Sequence, residues 1–461
     1  MTDKKADKSK QADGSETSKP VVVGKPGFAR RQTRIYIGLL ALFGLIGYSW
    51  FFLFPLLAVY SLYVIVDELL LALQYADGMR VSNFSIIGVA SLSMLLGGFM
   101  SYRIFLVRIP LPLGVKIDKE NSGKIFPFVG KLKETYPGLK IDQIILTDRF
   151  EVQIIKTPLW GYPVWSKNTL SIGMPLLLGL PLEHFKVILL RKLGQFSRNN
   201  NPVTNWLYCL RQIMQDYHQA LLRDPQLDKQ FLALFFNIYL PLFDSLGGYI
   251  LQLDELKADS SALEHINHED VVLALEMEYL VARFLDTHYW PKVRQMVEQN
   301  PKASPFGCAR LLPTLEGNLA KVNLKLWLAE SRKMSLLTYD KMPNLRQRLE
   351  NVGHDKPLPI TLAKGSAATQ LLGDAFYRAL KVADMFWSKN TADKWRKESE
   401  IRRREQAIIQ QLQQKNTNTR LSIKELLQWR NLKQKYSKEP VSLPIYRFLI
   451  GKLPKSTNLP V

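Results

Sequence analysis

Arg191, Lys192 and Gln195 lie within the five-residue run RKLGQ, and Glu255 and Asp259 stand four apart in DELKADSSAL. Residues four apart on a helix share a face, so Arg191 and Gln195 project together, with Ile188 and Lys192 beside them. Glu255 and Asp259 likewise project together. A guanidinium stays protonated in proteins and has no lone pair to give. Lys192 becomes a base only if it is strongly desolvated. Other chemistry is poorly supported. His265 and His268, followed by Glu269 and Asp270, suggest metal, but HINHED falls between two helical segments and reads as a polar loop. His184 reads as a boundary residue two turns ahead of Arg191. Ser197 has no positioned His and Asp in sequence, and Cys209 sits in an apolar helix as a core residue.

The elements that must position these residues are helices. One starts at Pro181, a good first-turn residue, and runs to about Ser197. Its apolar positions Phe185, Leu189, Leu193 and Phe196 recur at three and four and mark a core face. A second helix carries Asp254, Glu255 and Asp259. Ahead of them the chain is β-prone. Residues 143–147 and 150–155 are β-branched and apolar, and 159–178 is expected to form another strand pair or hairpin. Phe126 to Tyr136 has helical spacing before Pro137-Gly138, after a Pro- and Gly-containing exit over 109–125. Strands first and helices after give an α+β body, predominantly helical. From about Pro357 the composition shifts. Residues 363–387 predict an amphipathic helix, 391–415 a charged helix, and Ser422 with Glu425 a capping box that opens another.

The chain has 461 residues and a formal net charge of +21. Such an excess points to an acidic partner, anionic membrane or nucleic acid; much of it sits beside apolar segments, which favours membrane lipid over nucleic acid. The 2 cysteines, Cys209 and Cys308, form no metal or redox spacing, and a reducing compartment is expected. There is no internal repeat and no Gly-rich phosphate loop. Residues 1–33 predict a disordered basic tail rather than a secretory signal. No charged side chain occurs from Ile35 to Val66 or from Val81 to Tyr102. A bilayer core takes roughly 20 helical residues, so both are expected to span it, the first by tilting, kinking at Pro55 or folding back. Gly97-Gly98 suits close helix packing. Phe231 to Leu251, interrupted by Asn237, Pro241 and Asp244, is expected to be a buried helix of the soluble body rather than a third span. Lys25, Arg30, Arg31 and Arg34 precede the first span, and Arg103, Arg108 and Lys116 follow the second. Asp67, Glu68 and Asp77 outnumber Arg80 in the connection. Lys and Arg stay on the cytoplasmic side, so both termini and the body are expected there.

Four stretches, in order, carry a family resemblance: QIILTDRFEVQII, the segment GYPVWSKNTL to RKLGQFSRNNN, DELKADSSAL and PNLRQRLENVG. From Gly114 to Gly353 the chain resembles peptidase family M48, the membrane-anchored zinc metallopeptidases of the prenyl-protein protease type. The first stretch looks like the family's strand pair, and the second like the segment that ends in its HExxH helix. The third looks like the later helix with its Glu-x-x-Ala-Asp signature, and the last like a closing motif that usually reads HPPLxxRL. The resemblance implies an anchor over 34–108, a zincin-like domain over 109–355 and a C-terminal helical region over 356–461.

In that family two His four apart and a later Glu bind zinc, and the Glu after the first His is the general base. By the resemblance, Arg191 stands at the first His, Lys192 at the base and Gln195 at the second His. Glu255 alone keeps a ligand position, and Asp259 stands where the family supports its ligands from behind. Cationic groups repel a divalent ion, and an amide oxygen is a poor zinc ligand. Zinc is therefore expected to be lost and no other cofactor is implied. Two arrangements remain open: Arg191 pairs with Glu255 where zinc would bridge the helices, or both reach solvent at an open cleft. The expected function is a membrane-anchored pseudopeptidase of a bacterial inner membrane that binds a protein or peptide partner. An active metallopeptidase with a rebuilt site is one alternative. Binding of a membrane surface or nucleic acid through the basic C-terminal helices is another.

Overall fold

A computed structural model describes residues 33–74, 81–109, 111–117, 123–136, 138–159, 166–197, 202–223, 227–299, 307–333, 343–354, 365–418 and 421–436. The expected tail over 1–33 lies, but for Thr33, outside them. The fold is predominantly helical, with one small sheet.

The first expected span is a single unbroken helix, α1 (Thr33–Gln74), that passes through Pro55 without folding back. At 1.5 Å per residue its 42 residues run about 63 Å, roughly twice a bilayer core. The second is α2 (Val81–Leu106). Gly97 explains their close approach: a Cβ there would sit 2.9 Å from the Phe54 carbonyl oxygen and 3.0 Å from the Ala58 nitrogen. Gly98 faces open space and takes no part.

β1 (Gly114–Ile117) follows, then α3 (Ile125–Glu134), β2 (Gln143–Thr147), β3 (Val152–Pro158) and β4 (Ser166–Gly173). The strand order is β1-β2-β4-β3. The two strands read from QIILTDRFEVQII are therefore not neighbours: β4 lies between them, parallel to β2 and antiparallel to β3. Where a strand pair or hairpin was expected over 159–178, the described residues hold one strand, β4, and 160–165 lie outside them. After Gly173 the chain turns into α4 (Met174–Gly179), because Pro175 has no N–H to donate to a ladder and suits a first helical turn. Gly173 itself passes under the β2–β3 connection, where a Cβ would collide with the Arg149 carbonyl at 1.7 Å. β1 was not foreseen, since its four residues sit in a stretch rich in Pro and Gly.

The helices that carry the chemistry come next: α5 (Leu182–Phe196), α6 (Pro202–Leu222), α7 (Leu227–Leu263) and α8 (His268–Phe284). α5 buries Phe185, Leu189, Leu193 and Phe196, its expected core face. α7 differs from expectation. It is continuous over 37 residues through Pro241, and it is the third helix long and apolar enough to cross a membrane, with α1 and α2. Its polar interruptions are satisfied by α6: Asn237 bonds His218 at 2.7 Å, and Asp244 pairs with Arg211 at 2.5 Å. One face of α7 packs on α1, with Tyr239 stacked on Phe43 at 4.8 Å and Phe235 on Trp50 at 5.0 Å. Another face leaves Phe231, Leu234, Ile238, Leu242 and Leu246 exposed at helical spacing. Membrane association rests on these three helices.

The chain divides into two compact units, residues 1–289 with 306–386, and residues 290–305 with 387–461. The first unit is completed by α10 (Leu311–Asn318), α11 (Leu324–Lys333), α12 (Leu345–Asn351), α13 (Ala367–Leu372) and α14 (Phe376–Trp387), which reaches the boundary; α9 (Trp290–Gln299) belongs to the second unit. The single helix expected over 363–387 is split at Gly373, whose φ of +50° no helical residue adopts. The second unit joins α9 to α15 (Asp393–Asn418) and α16 (Ile423–Tyr436). Trp387 is buried there, stacked on Trp290 at 5.8 Å. The capping box forms: the Ser422 backbone N–H donates to Glu425 at 2.9 Å, and the Glu425 N–H to the Ser422 hydroxyl at 3.3 Å.

Candidate functional site

Arg191 enters the site from α5 and is 2% exposed. Its Nε donates to Asp259, its Nη2 to Glu255 Oε2 at 3.0 Å, and its Nη1 lies 3.6 Å from Glu278. Lys192, one residue on, turns the other way round Glu255 and donates to Oε1 at 2.6 Å. It also donates to the Gln195 amide oxygen at 3.1 Å. The Gln195 amide nitrogen in turn donates to Asp254 at 3.0 Å and to Glu255 at 3.3 Å. The five residues singled out in the sequence are thus one cluster, and the open cleft is replaced by buried pairs.

Gly194, next to Gln195, is a glycine for a steric reason. A Cβ on Gly194 would meet the Ser261 hydroxyl at 2.4 Å and the Tyr136 hydroxyl at 2.8 Å. Its absence lets α5 lie against α7 closely enough for Gln195 to span the gap. The spacing of Glu255 and Asp259 then presents both carboxylates to α5, as expected of residues one helical turn apart.

Three members were not foreseen in these roles. Arg348, from α12, donates to both oxygens of Asp259 at 3.0 and 3.2 Å and to Glu278 at 3.1 Å. Burial works against its charge, but Asp259 and Glu278 outweigh it and raise its pKa above the ordinary range. Glu278 arrives from α8. The available signal was its position in ALEMEYLVARF, where Glu276 and Glu278 interrupt a largely apolar stretch. Asp254 closes the group through Gln195, and its second oxygen is buried without a hydrogen-bond partner among the described residues. Arg191, Lys192 and Arg348 thus face Glu255, Asp259 and Glu278. Near-balance of charge is what a buried ionic group requires, since one unpaired charge costs several kcal/mol.

The set does not suit zinc. Glu255 has both oxygens engaged by cationic donors, and neither Arg191 nor Lys192 offers a lone pair while charged. Among the described residues no three His, Cys, Asp or Glu side chains converge as a metal-binding group. The histidines lie elsewhere. His265 stands edge-on to Tyr136 at 5.5 Å. His268 opens α8, so HINHED is loop only in its first half, and its Nε2 bonds the Val352 carbonyl at 2.8 Å. Burial lowers the pKa of His184. Cys209 and Cys308 are buried thiols, raised in pKa by that burial. A cavity of about 340 Å³ lies beside the ionic cluster; Glu278 and Arg348 give it its charged groups, Ser331 and Asn344 further polar ones, and Phe150, Tyr279 and Leu345 are among its apolar lining.

No protein-family model matches the chain, nor does any curated protein or solved structure.

Proposed function

We propose that this chain is a membrane-anchored pseudopeptidase of the M48 type, which holds a protein or peptide partner at a bacterial inner membrane without cutting it. The observation that carries the reading is the Arg191 guanidinium bridging Glu255 and Asp259. It puts a fixed cation between the two helices at the place where the family resemblance would have a metal. The order of elements supports the same reading: a mixed sheet, then α5 with the three replaced motif positions, then α7 with the retained Glu255. The Lys and Arg around the first two spans favour a body on the cytoplasmic side.

The chemistry left to such a site is binding. β3 is a terminal strand of the sheet, so one row of its backbone groups has no strand partner among the described residues. An extended peptide adds to such an edge through main-chain hydrogen bonds, a mode that needs no metal. The cavity beside Glu278 and Arg348 offers an apolar wall with one charged side for a partner side chain. An active site rebuilt around Lys192 is the weaker reading, because its ammonium is held by Glu255 at 2.6 Å and Gln195 at 3.1 Å.

Metal analysis of detergent-purified full-length protein tests the loss of zinc, with substoichiometric zinc and no chelator-sensitive peptide cleavage as the expected result. Stoichiometric zinc together with cleavage abolished by chelation overturns it. The family reading has its own test in the triple variant Arg191→His, Lys192→Glu, Gln195→His. With Glu255 as third ligand it is expected to take up one zinc per chain. A folded triple variant that takes up none removes the zincin-type geometry from the argument.

A further inference from the structure

Residues 387–461 hold 17 Lys and Arg against 6 Asp and Glu, more than half of the chain's net charge of +21. Among the described residues of the second unit, every carboxylate of α9, α15 and α16 lies within 4.0 Å of an Arg or Lys, Glu400 only loosely, at 4.0 Å from Arg404. The surplus is therefore cationic and outward-facing. Lys292, Lys389, Lys397 and Lys424 are exposed, and no described carboxylate pairs with them.

The surplus is arranged. Lys394, Lys397, Ile401 and Arg404 recur at three, four and three along α15, which sets them on one face. Lys394 and Arg404 are 74% and 79% exposed, and their own carboxylate contacts reach 4.0 Å, distances that water and salt screen heavily. Ile401 stands among them half exposed. A row of cations around one apolar side chain matches the boundary of an anionic bilayer: phosphates meet the charges, and the isoleucine enters the acyl margin. Long basic side chains suit this place because their stems lie along apolar surface while their heads stay with the phosphates.

We infer that the Lys394–Lys397–Ile401–Arg404 face of α15 docks on an anionic lipid surface, taking headgroup phosphates as its ligand. The occupant is lipid rather than nucleic acid because α1, α2 and α7 tether this unit to a membrane, so headgroups are present at high effective concentration wherever the chain is. The inference is independent of whether the first unit binds a partner.

The test uses the full chain in lipid nanodiscs. Gln411→Cys, on the same face two turns beyond Arg404, carries an environment-sensitive dye, and the buried native Cys209 and Cys308 are spared. Discs of phosphatidylcholine alone are compared with discs that include phosphatidylglycerol, with spin-labelled lipid as quencher. Quenching is expected in the anionic discs only. It is expected to fall as salt is raised from about 0.1 M to about 1 M, where the screening length drops from about 10 Å to about 3 Å. Each charge removed is expected to weaken docking about five-fold, so Lys394→Gln, Lys397→Gln, Arg404→Gln together abolish it, while circular dichroism shows α15 still helical. Equal quenching in neutral and anionic discs overturns the proposal. So does quenching unchanged in the triple variant, and so does a face that ignores lipid but binds an oligonucleotide.

Discussion

Arg191 and Asp259 face each other as an enclosed ion pair, with side chains 2% and 0% exposed. Asp259 also holds Arg348, and Arg191 also holds Glu255, so the pair is the hinge of a network contributed by α5, α7, α8 and α12. At this point the four helices meet on charges, beside the apolar core that the same helices share. Desolvation offsets much of the attraction in such a buried group, while the loss of one partner leaves a costly unpaired charge.

Removing Arg191 leaves Asp259 and Glu255 without their shared cation. Arg191→Ala is expected to destabilise the fold by about 3–5 kcal/mol. Arg191→Lys is expected to recover only part of this, because an ammonium cannot reach two carboxylates in a fixed fork. Chemical denaturation in detergent, followed by tryptophan fluorescence, measures both. A loss under about 1 kcal/mol for Arg191→Ala would show that the charges are not buried in the native protein.

Lys192 and Glu255 are expected to be energetically coupled. In a double-mutant cycle, Lys192→Met and Glu255→Gln together are expected to cost less than the sum of the single changes, by about 0.5–3 kcal/mol. Strict additivity would mean that the 2.6 Å contact does not persist in solution.

The two adjacent glycines of α2 should separate cleanly. Gly97→Leu pushes a side chain into the backbone of α1 at Phe54 and Ala58 and is expected to cost about 1–3 kcal/mol. Gly98→Leu meets nothing and is expected to be neutral. Thermal unfolding of the two variants in the same detergent reads the difference, and equal effects would mean that α1 and α2 do not pack through Gly97.

Asp216, on α6, is pushed up to about 6 by burial, against the smaller opposing pull of Arg149 and Arg223. Below the unfolded value near 4 both states are protonated and the group has no effect. As pH rises through 4 to 6 the unfolded chain releases its proton first, so native stability falls and stays lower above pH 6. Asp216→Asn removes this loss. It is expected to raise the melting temperature at pH 8, by an amount equivalent to at most about 2 kcal/mol after allowance for partial exposure to water, and to leave it unchanged at pH 3.5. An equal gain at both pH values would assign the effect to packing instead.

Much of this protein was readable from local pattern. Length and lack of charge were enough for α1 and α2. The core face of α5, the shared face of Glu255 and Asp259, and the Ser422–Glu425 cap all follow from helical periodicity or cap chemistry, which act over a few residues. Where the sequence left two outcomes for Arg191 and Glu255, burial decided for the pair. Local pattern failed where an element takes its meaning from a distant partner. Asn237 and Asp244 read as defects in an apolar run until α6 supplied His218 and Arg211 to meet them. β2 and β3 read as consecutive strands, yet β4 lies between them, because strand order is set by the whole sheet and not by the turn that joins two strands.

Sequence alone therefore determined which residue types stand in the central cluster, with Arg191 and Lys192 donating from α5 and Glu255 and Asp259 accepting from α7. Tertiary structure alone decided that Arg348 and Glu278, 70 residues apart, complete it. A charge can be read from a side chain, whereas its partner depends on how the intervening chain packs.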